Sequence, residues 1–316
     1  MSKILYEILI SLGGFMKKLF GMVLCMTLCL TAFAQTETDF TVVLTNDGEG
    51  VVITRYTGKA TAVRIPATIQ GMPVMEIGGS SGANWGAFQN NKSITSVVIP
   101  EGVTIIRRES FGHELTRPSD KGGITLINVV LPSTLKIIEE GAFEYNTSLK
   151  SIVIPEGVTE IGNGAFYGCS SLESITLPQS LVKLGSSAFV STAISSITLP
   201  PNLTRLAGGT FWNCKKLTSI VFPEGFTEIG DSGESGGSGA FRDCIALTSV
   251  TFPSTIRKIG TAAFSGCSAL TTIAIPDTVE TISMSNAIYY APFEGCTRLT
   301  LASQARLKRV GYDGGF

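Results

Sequence analysis

The sequence is poor in the groups that carry out catalysis. Among 316 residues it has one histidine, His113, two tryptophans and only 16% charged side chains. One imidazole cannot furnish a histidine-rich metal site, and no serine stands near it in a nucleophile elbow. The formal net charge is −1, and the basic stripe that a nucleic-acid binder needs is missing. Adjacent carboxylates such as Glu139 and Glu140 point apart, so they are not read as a catalytic pair. The run Gly230–Gly239 has no lysine after it and interrupts a repeat, so it is not a phosphate loop. No cofactor, metal or catalytic residue is expected, and the chain reads as non-enzymatic. Past the first 34 residues no apolar run is long enough to cross a bilayer.

What is abundant is apolar and turn-forming. The chain is 44% hydrophobic, with 35 glycines and 13 prolines. Lys17 and Lys18 precede an apolar run, Leu19–Leu30, and then Ala32-Phe33-Ala34. These are the parts of a secretory signal peptide, and they predict cleavage after Ala34 and export. Met16 reads as an alternative start.

The rest returns to one phrase nine times. Its prolines run from Pro66 and Pro100 to Pro253 and Pro276, at spacings of 34, 32, 23, 23, 22, 23, 30 and 23. The base period is therefore 23 and the long gaps are insertions, which predicts a solenoid. Before each proline lies a short alternating segment, such as Ile152-Val153-Ile154 or Ile175-Thr176-Leu177. Period-two alternation with β-branched residues predicts a strand that the proline stops, one strand per turn, paired in parallel with its neighbours. The flanking pair, as in Ile152 and Ile154, faces inward. After the proline, apolar residues recur three apart, as in Val158 and Ile161, which suits a short extended or 3₁₀ segment rather than a helix. Nine phenylalanines, Phe88 through Phe166 to Phe293, fall in register and read as a stacked spine.

Three residues after the spine comes a polar ladder: Cys169, Cys214, Cys244, Cys267 and Cys296, with Asn91, Asn146 and Thr192 as substitutes. Two of the seven cysteines lie in the signal segment, which leaves five, all at one repeat position. Stacked strands lie about 4.8 Å apart, whereas disulfide Cβ atoms prefer about 3.8 Å. Buried free thiols are the expectation. Residues 40–65 alternate and turn at Asn46-Asp47-Gly48, which suggests a capping hairpin. Leu299-Thr300-Leu301 reads as the start of a last strand, followed by a short helical cap.

The I-P-x-x-V-x-x-I-G-x-x-A-F pattern with its Cys/Asn ladder closely resembles the BspA-like leucine-rich repeat family of bacterial, Bacteroides-type surface proteins. The resemblance covers about residues 40–316. It implies a curved leucine-rich repeat solenoid, exported and used for adhesion or protein binding. The organisation expected is a signal peptide over 1–34, an N-terminal capping hairpin over 35–65, the array over 66–298 and a C-terminal cap over 299–316.

Two surfaces are candidate binding sites. One is the outward strand face, carrying Ser151, Ser174, Thr176, Ser196, Thr198, Ser219, Ser249 and Thr251. The other is the set of turn insertions at Gly78–Gly86, Asp231–Gly239 and Ser283–Ala291. These bring Trp85, Tyr289 and Tyr290, with Trp212 in a corresponding turn. The first suits a protein ligand, from a host extracellular or neighbouring-cell protein. The second suits either a protein or the rings of a carbohydrate. The chain is expected to be a monomer at the cell surface, secreted or periplasmic, with no nucleic-acid partner and no membrane span after cleavage.

Overall fold

The computed structural model describes residues 36–79, 86–89, 91, 93–112, 126–230, 239–283 and 291–316. The signal segment, His113, Trp85, Tyr289 and Tyr290 lie outside the described residues, as do most of the insertions.

Thr36–Phe316 form one compact unit. It opens with a hairpin, β1 (Phe40–Leu44) antiparallel to β2 (Val51–Tyr56). Asn46-Asp47-Gly48 turn between them, and Gly48 sits at φ +75°, where a side chain would be strained. From there the chain winds as a solenoid of stacked parallel rungs. The first rung of the three-residue ladder is β3 (Ala62–Arg64), which pairs with Ser96–Val98 and that with Asn128–Val130. Ser151–Val153 pairs with Ser174–Thr176. Ser196–Thr198, Ser219–Val221, Ser249–Thr251 and Thr272–Ala274 form the last group of four.

Each strand buries its middle residue and, except at half-buried Leu131, the residue after it. Ile152 and Ile154 are core, while Val153 is 67% exposed. Proline follows at once and supplies no N–H, so the ladder cannot continue past it. The chain instead turns, with Val158 N–H donating to Pro155 O at 3.3 Å and Leu181 N–H to Pro178 O at 3.2 Å.

One expectation is corrected here. The turns carry two parallel strands, not one. The apolar pair after the proline closes a second ladder of two-residue rungs, including Ile105–Ile106, Ile137–Ile138, Glu160–Ile161 and Lys183–Leu184. A second group runs Arg205–Leu206, Glu228–Ile229, Lys258–Ile259 and Thr281–Ile282. Stacking decides this: the same residues recur every turn, so any extended pair finds an in-register partner above and below. A two-residue strand has no propensity signal of its own.

The spine is continuous. Successive rings from Phe88 to Phe293 are stacked, with centroids 4.8 Å apart at Phe88–Phe111 and 5.7 Å apart at Phe166–Phe189. Each ring is almost fully buried, and each such contact adds about 0.5–1.5 kcal/mol beyond area burial. Aromatics outside the repeat finish the column. Tyr56 stacks on Phe88 at 5.2 Å with Phe40 beyond it, and Tyr312 meets Phe293 edge-on at 5.3 Å with Phe316 beyond it.

The polar ladder ties turn to turn. All five cysteines are free and buried. Each thiol donates to the main-chain carbonyl of the spine residue one turn back, as Cys169 does to Phe143 O at 3.2 Å and Cys244 to Phe211 O at 3.1 Å. Asn146 does this with its amide, to Phe111 O at 2.8 Å. Burial pushes the thiols up, Cys214 to about 11 and Cys169 and Cys296 to about 12, so they stay protonated.

The C-terminus differs from the expected last strand. Thr300 caps a nine-residue helix, α1 (Leu301–Arg309), its hydroxyl accepting from Ser303 N–H. The helix covers the open edge of the final rung. Ser303 Oγ accepts from Ile273 N–H at 3.2 Å, and Arg306 Nε donates to Ile275 O at 2.7 Å. Side chains thus satisfy the edge that a further strand would have satisfied.

Candidate interaction surfaces

The outward face of the three-residue ladder brings the predicted polar residues into register. Ser151 lies beside Ser174, and Val153 beside Thr176. Ser196, Ser219 and Ser249 form one column, and Thr198, Val221 and Thr251 the next. All the candidate serines and threonines here are exposed except Ser219, which is half-buried. The face is flat, short-chained and uncharged along these columns. Between Thr176 and Thr198 the hydrogen-bonded ladder is interrupted.

Of the aromatic candidates, only Trp212 is described. It is half-buried, its Nε1 donates to Asp243 at 3.1 Å, and the Arg242 guanidinium lies 5.6 Å from its ring centroid. Two aromatics that sequence reasoning passed over stand a few turns away. Tyr145 and Tyr167 meet edge-to-face at 5.3 Å, both half-buried. Their signal was their place, one and two residues past the spine.

A carboxylate cluster sits beside them. Glu144 is half-buried next to Glu109 and Glu140. Loss of solvent, then the two neighbouring carboxylates, push its carboxyl from 4.5 up to about 7. Arg108 opposes this and bonds Glu140 at 2.9 Å and Glu109 at 3.3 Å. Among the described residues no group of three or more His, Cys, Asp or Glu side chains could hold a metal ion.

The outer column of the two-residue ladder was also missed. It carries the fifth residue after the repeat prolines, charged at Glu160, Lys183, Arg205, Glu228 and Lys258. Lys183 pairs with Glu160 at 2.7 Å and Lys258 with Glu228 at 3.3 Å. A cavity of about 350 Å³ opens between the rungs of Lys183 and Arg205. Another of about 420 Å³ shares Lys183 and Asn163 with it and reaches Arg108. Asn163 Oδ1 accepts from Ser186 N–H at 2.9 Å across that floor.

Parallel rungs stacked on a phenylalanine spine, with a thiol and amide ladder inside, define a leucine-rich repeat solenoid. The profile of the BspA type leucine rich repeat region matches six copies here, over residues 82–116, 121–233 and 234–306. The chain belongs to that family, whose members usually serve as protein-interaction scaffolds and are generally non-enzymatic. Similar solved structures include a leucine-rich repeat protein of T. pallidum, 25% identical, covering 90% of this chain and 99% of that one with a TM-score of 0.42. A leucine-rich cell surface protein of Faecalibacterium prausnitzii is 22% identical, with coverages of 90% and 99% and a TM-score of 0.33. A leucine-rich repeat protein of Bacteroides ovatus is 23% identical, with coverages of 90% and 97% and a TM-score of 0.30. No curated protein matches. Among the described residues no helix is long and apolar enough to cross a membrane.

Proposed function

We propose that the chain is an exported, non-enzymatic scaffold for protein–protein interaction, with the role of an adhesin toward a host extracellular or neighbouring-cell protein. It acts at the cell surface, as a secreted protein or in the periplasm, as a monomer. In this reading residues 1–34 are the removed signal, 35–65 and 299–316 the caps, and 66–298 the array.

The observation that carries the reading is the in-register outer face, where Ser196, Ser219 and Ser249 stack beside Thr198, Val221 and Thr251. A rigid, flat array of short side chains admits the close approach of another protein's backbone. Its hydroxyls stand without a charged group or base in these columns to activate them. The carbohydrate alternative asks for an open aromatic face, and the one described tryptophan, Trp212, has Arg242 against its ring.

The test is a binding screen of residues 35–316 against extracellular-matrix proteins and, separately, a glycan panel. Saturable binding to a protein, weakened by Ser196→Arg or Ser249→Arg on the outer face, is the expected result. Selective glycan binding lost in Trp212→Ala would replace this reading with the carbohydrate one. Substrate turnover in an activity screen would remove both.

A further inference from the structure

The array has a seam. The turn from Pro178 to Pro200 has 22 residues where its neighbours have 23. Between it and the next turn both strand ladders fail together. The three-residue rungs of Ser174–Thr176 and Ser196–Thr198 are unpaired, and so are the two-residue rungs of Lys183–Leu184 and Arg205–Leu206. The polar ladder stays closed across the seam, with Cys214 Sγ donating to Phe189 O at 3.0 Å. Among the described residues this is the only place where both strand ladders open. The turns stay joined on the spine side, where Phe189 and Phe211 stack at 5.4 Å and Phe189 N–H donates to Thr210 O at 2.9 Å.

The seam leaves main-chain groups without partners. One turn earlier, Val182 and Lys183 N–H both donate to Thr159 O, and Gly185 N–H to Ile161 O at 2.8 Å. By the same offset the N–H groups of Thr204, Arg205 and Ala207 would meet the carbonyls of Val182 and Leu184. Those bonds are absent among the described residues, and the cavity of about 350 Å³ lies between the two walls. Its size falls within the range of about 300–1,000 Å³ typical of small-ligand clefts.

Charge accounts for the opening. The other charged in-register neighbours along the column alternate in sign: Glu160 beside Lys183, Arg205 beside Glu228, Glu228 beside Lys258. Lys183 and Arg205 repeat the sign, and like charges directly opposite destabilise a rung pair. Ala207 adds to it. It stands where Gly162, Gly185 and Gly260 let the backbones touch, a Cβ at those sites coming within 2.4–2.6 Å of the previous turn's main chain. Arg107 and Glu139 hold the same place in wider turns whose rungs stay closed, so the alanine alone is not the cause. Lys183 is paired with Glu160 on its other side, an exposed contact that leaves the lysine charged. Arg205 has no ion pair among the described residues.

We propose that this seam is a binding cleft for an extended, carboxylate-bearing peptide segment of a partner protein. The partner's carboxylate lies between Arg205 and Lys183 and relieves their repulsion. Its backbone carbonyls take the N–H groups of Thr204, Arg205 and Ala207, and its N–H groups take the carbonyls of Val182 and Leu184. This deepens the scaffold reading and rests on it, by naming where a partner docks and with what chemistry.

Two measurements on the full chain test it. Hydrogen exchange read by mass spectrometry compares the segment 203–207 with its closed counterpart 226–230. Faster exchange in 203–207 is expected; equal protection overturns the seam itself. Titration with acetyl-GDGEG-amide, followed by the same exchange, is expected to slow 203–207, while the neutral twin acetyl-GNGQG-amide does not. Arg205→Ala, which removes an exposed side chain, should weaken the acidic peptide at least tenfold. No protection by the acidic peptide, equal protection by both peptides, or an unchanged affinity in Arg205→Ala would overturn the assignment. Protection by sodium glucuronate and not by the peptide would overturn it in favour of an acidic sugar. Capture of a matrix protein that persists in Arg205→Ala leaves the scaffold reading standing and removes this one.

Discussion

Replacing Glu144 with glutamine should stabilise the protein at pH 8 and do nothing for it at pH 4. The reasoning starts from where the carboxyl stands. Glu144 is half-buried directly after the spine residue Phe143, against Glu109 and Glu140. Its carboxyl is raised from 4.5 to about 7, first by loss of solvent and then by those two carboxylates. The folded state therefore holds this proton more tightly than the unfolded chain does. Its stabilising contribution is complete below about pH 4.5 and is lost as pH rises through about 7. In a dry site a rise of that size would correspond to about 3 kcal/mol, at about 1.4 kcal/mol per pH unit. Glu144 is partly solvated and Arg108 stands nearby, so screening reduces the effect to about 1–2 kcal/mol. Glutamine keeps the shape and removes the charge. Urea unfolding of Glu144→Gln and the parent chain at pH 4, 6 and 8 is the assay. The expected difference grows from near zero at pH 4 to about 1–2 kcal/mol in favour of the variant at pH 8. A variant that is no more stable at pH 8, or equally shifted at every pH, would refute the reasoning.

The other predictions concern the core and its cover. Phe166→Ala removes a fully buried ring stacked on both sides, at 5.3 Å from Phe143 and 5.7 Å from Phe189. It should cost about 3–5 kcal/mol in a urea melt; a loss under about 1 kcal/mol would mean that the spine does not bear on stability. The five ladder thiols are buried and held as thiols, so a maleimide should leave them unlabelled at pH 8 and modify all five after denaturation. Rapid labelling of the folded protein, or an unreduced mass short by pairs of hydrogens, would contradict the ladder. Leu307→Asp puts a charge under α1, where Leu307 is buried against the final rung. The helix should lift from the edge of Thr272–Ala274, with concentration-dependent association in light scattering; a variant that stays monodisperse would show that α1 is not the cover.

Much of the fold was legible because repetition multiplies a weak signal. One alternating apolar segment before a proline means little, but nine of them on a base period of 23 leave few alternatives to a stacked parallel ladder. The spine and the thiol ladder were readable for the same reason: Phe166 and Cys169 recur at a fixed offset in neighbouring turns. The second ladder was not readable as strand, because two residues such as Glu160–Ile161 become a strand only when Lys183–Leu184 stacks beside them. The C-terminal segment misled in the opposite direction. Leu299-Thr300-Leu301 has the composition of a strand, but with no following turn to pair with, Thr300 serves better as a helix cap. The closing aromatics, Tyr56 and Tyr312, sit outside the repeat and carry no periodic mark at all.

The candidate surfaces divide in the same way. The outward serines and threonines could be placed on one face from the alternation alone. The seam could not, although its ingredients were in plain view: a 22-residue turn, Lys183 and Arg205 at one repeat position, and Ala207 in place of a glycine. Each is unremarkable by itself, and they matter because stacking sets them against one another. Local chemistry and its periodicity therefore settle, from the amino-acid order alone, which side chains are core, where each strand stops and that the turns stack. Which neighbouring turns close and which stand apart depends on the charges and Cβ atoms that meet across a gap of a few ångströms. Those meetings join residues some 22 positions apart in the chain, and no property of either residue alone announces them.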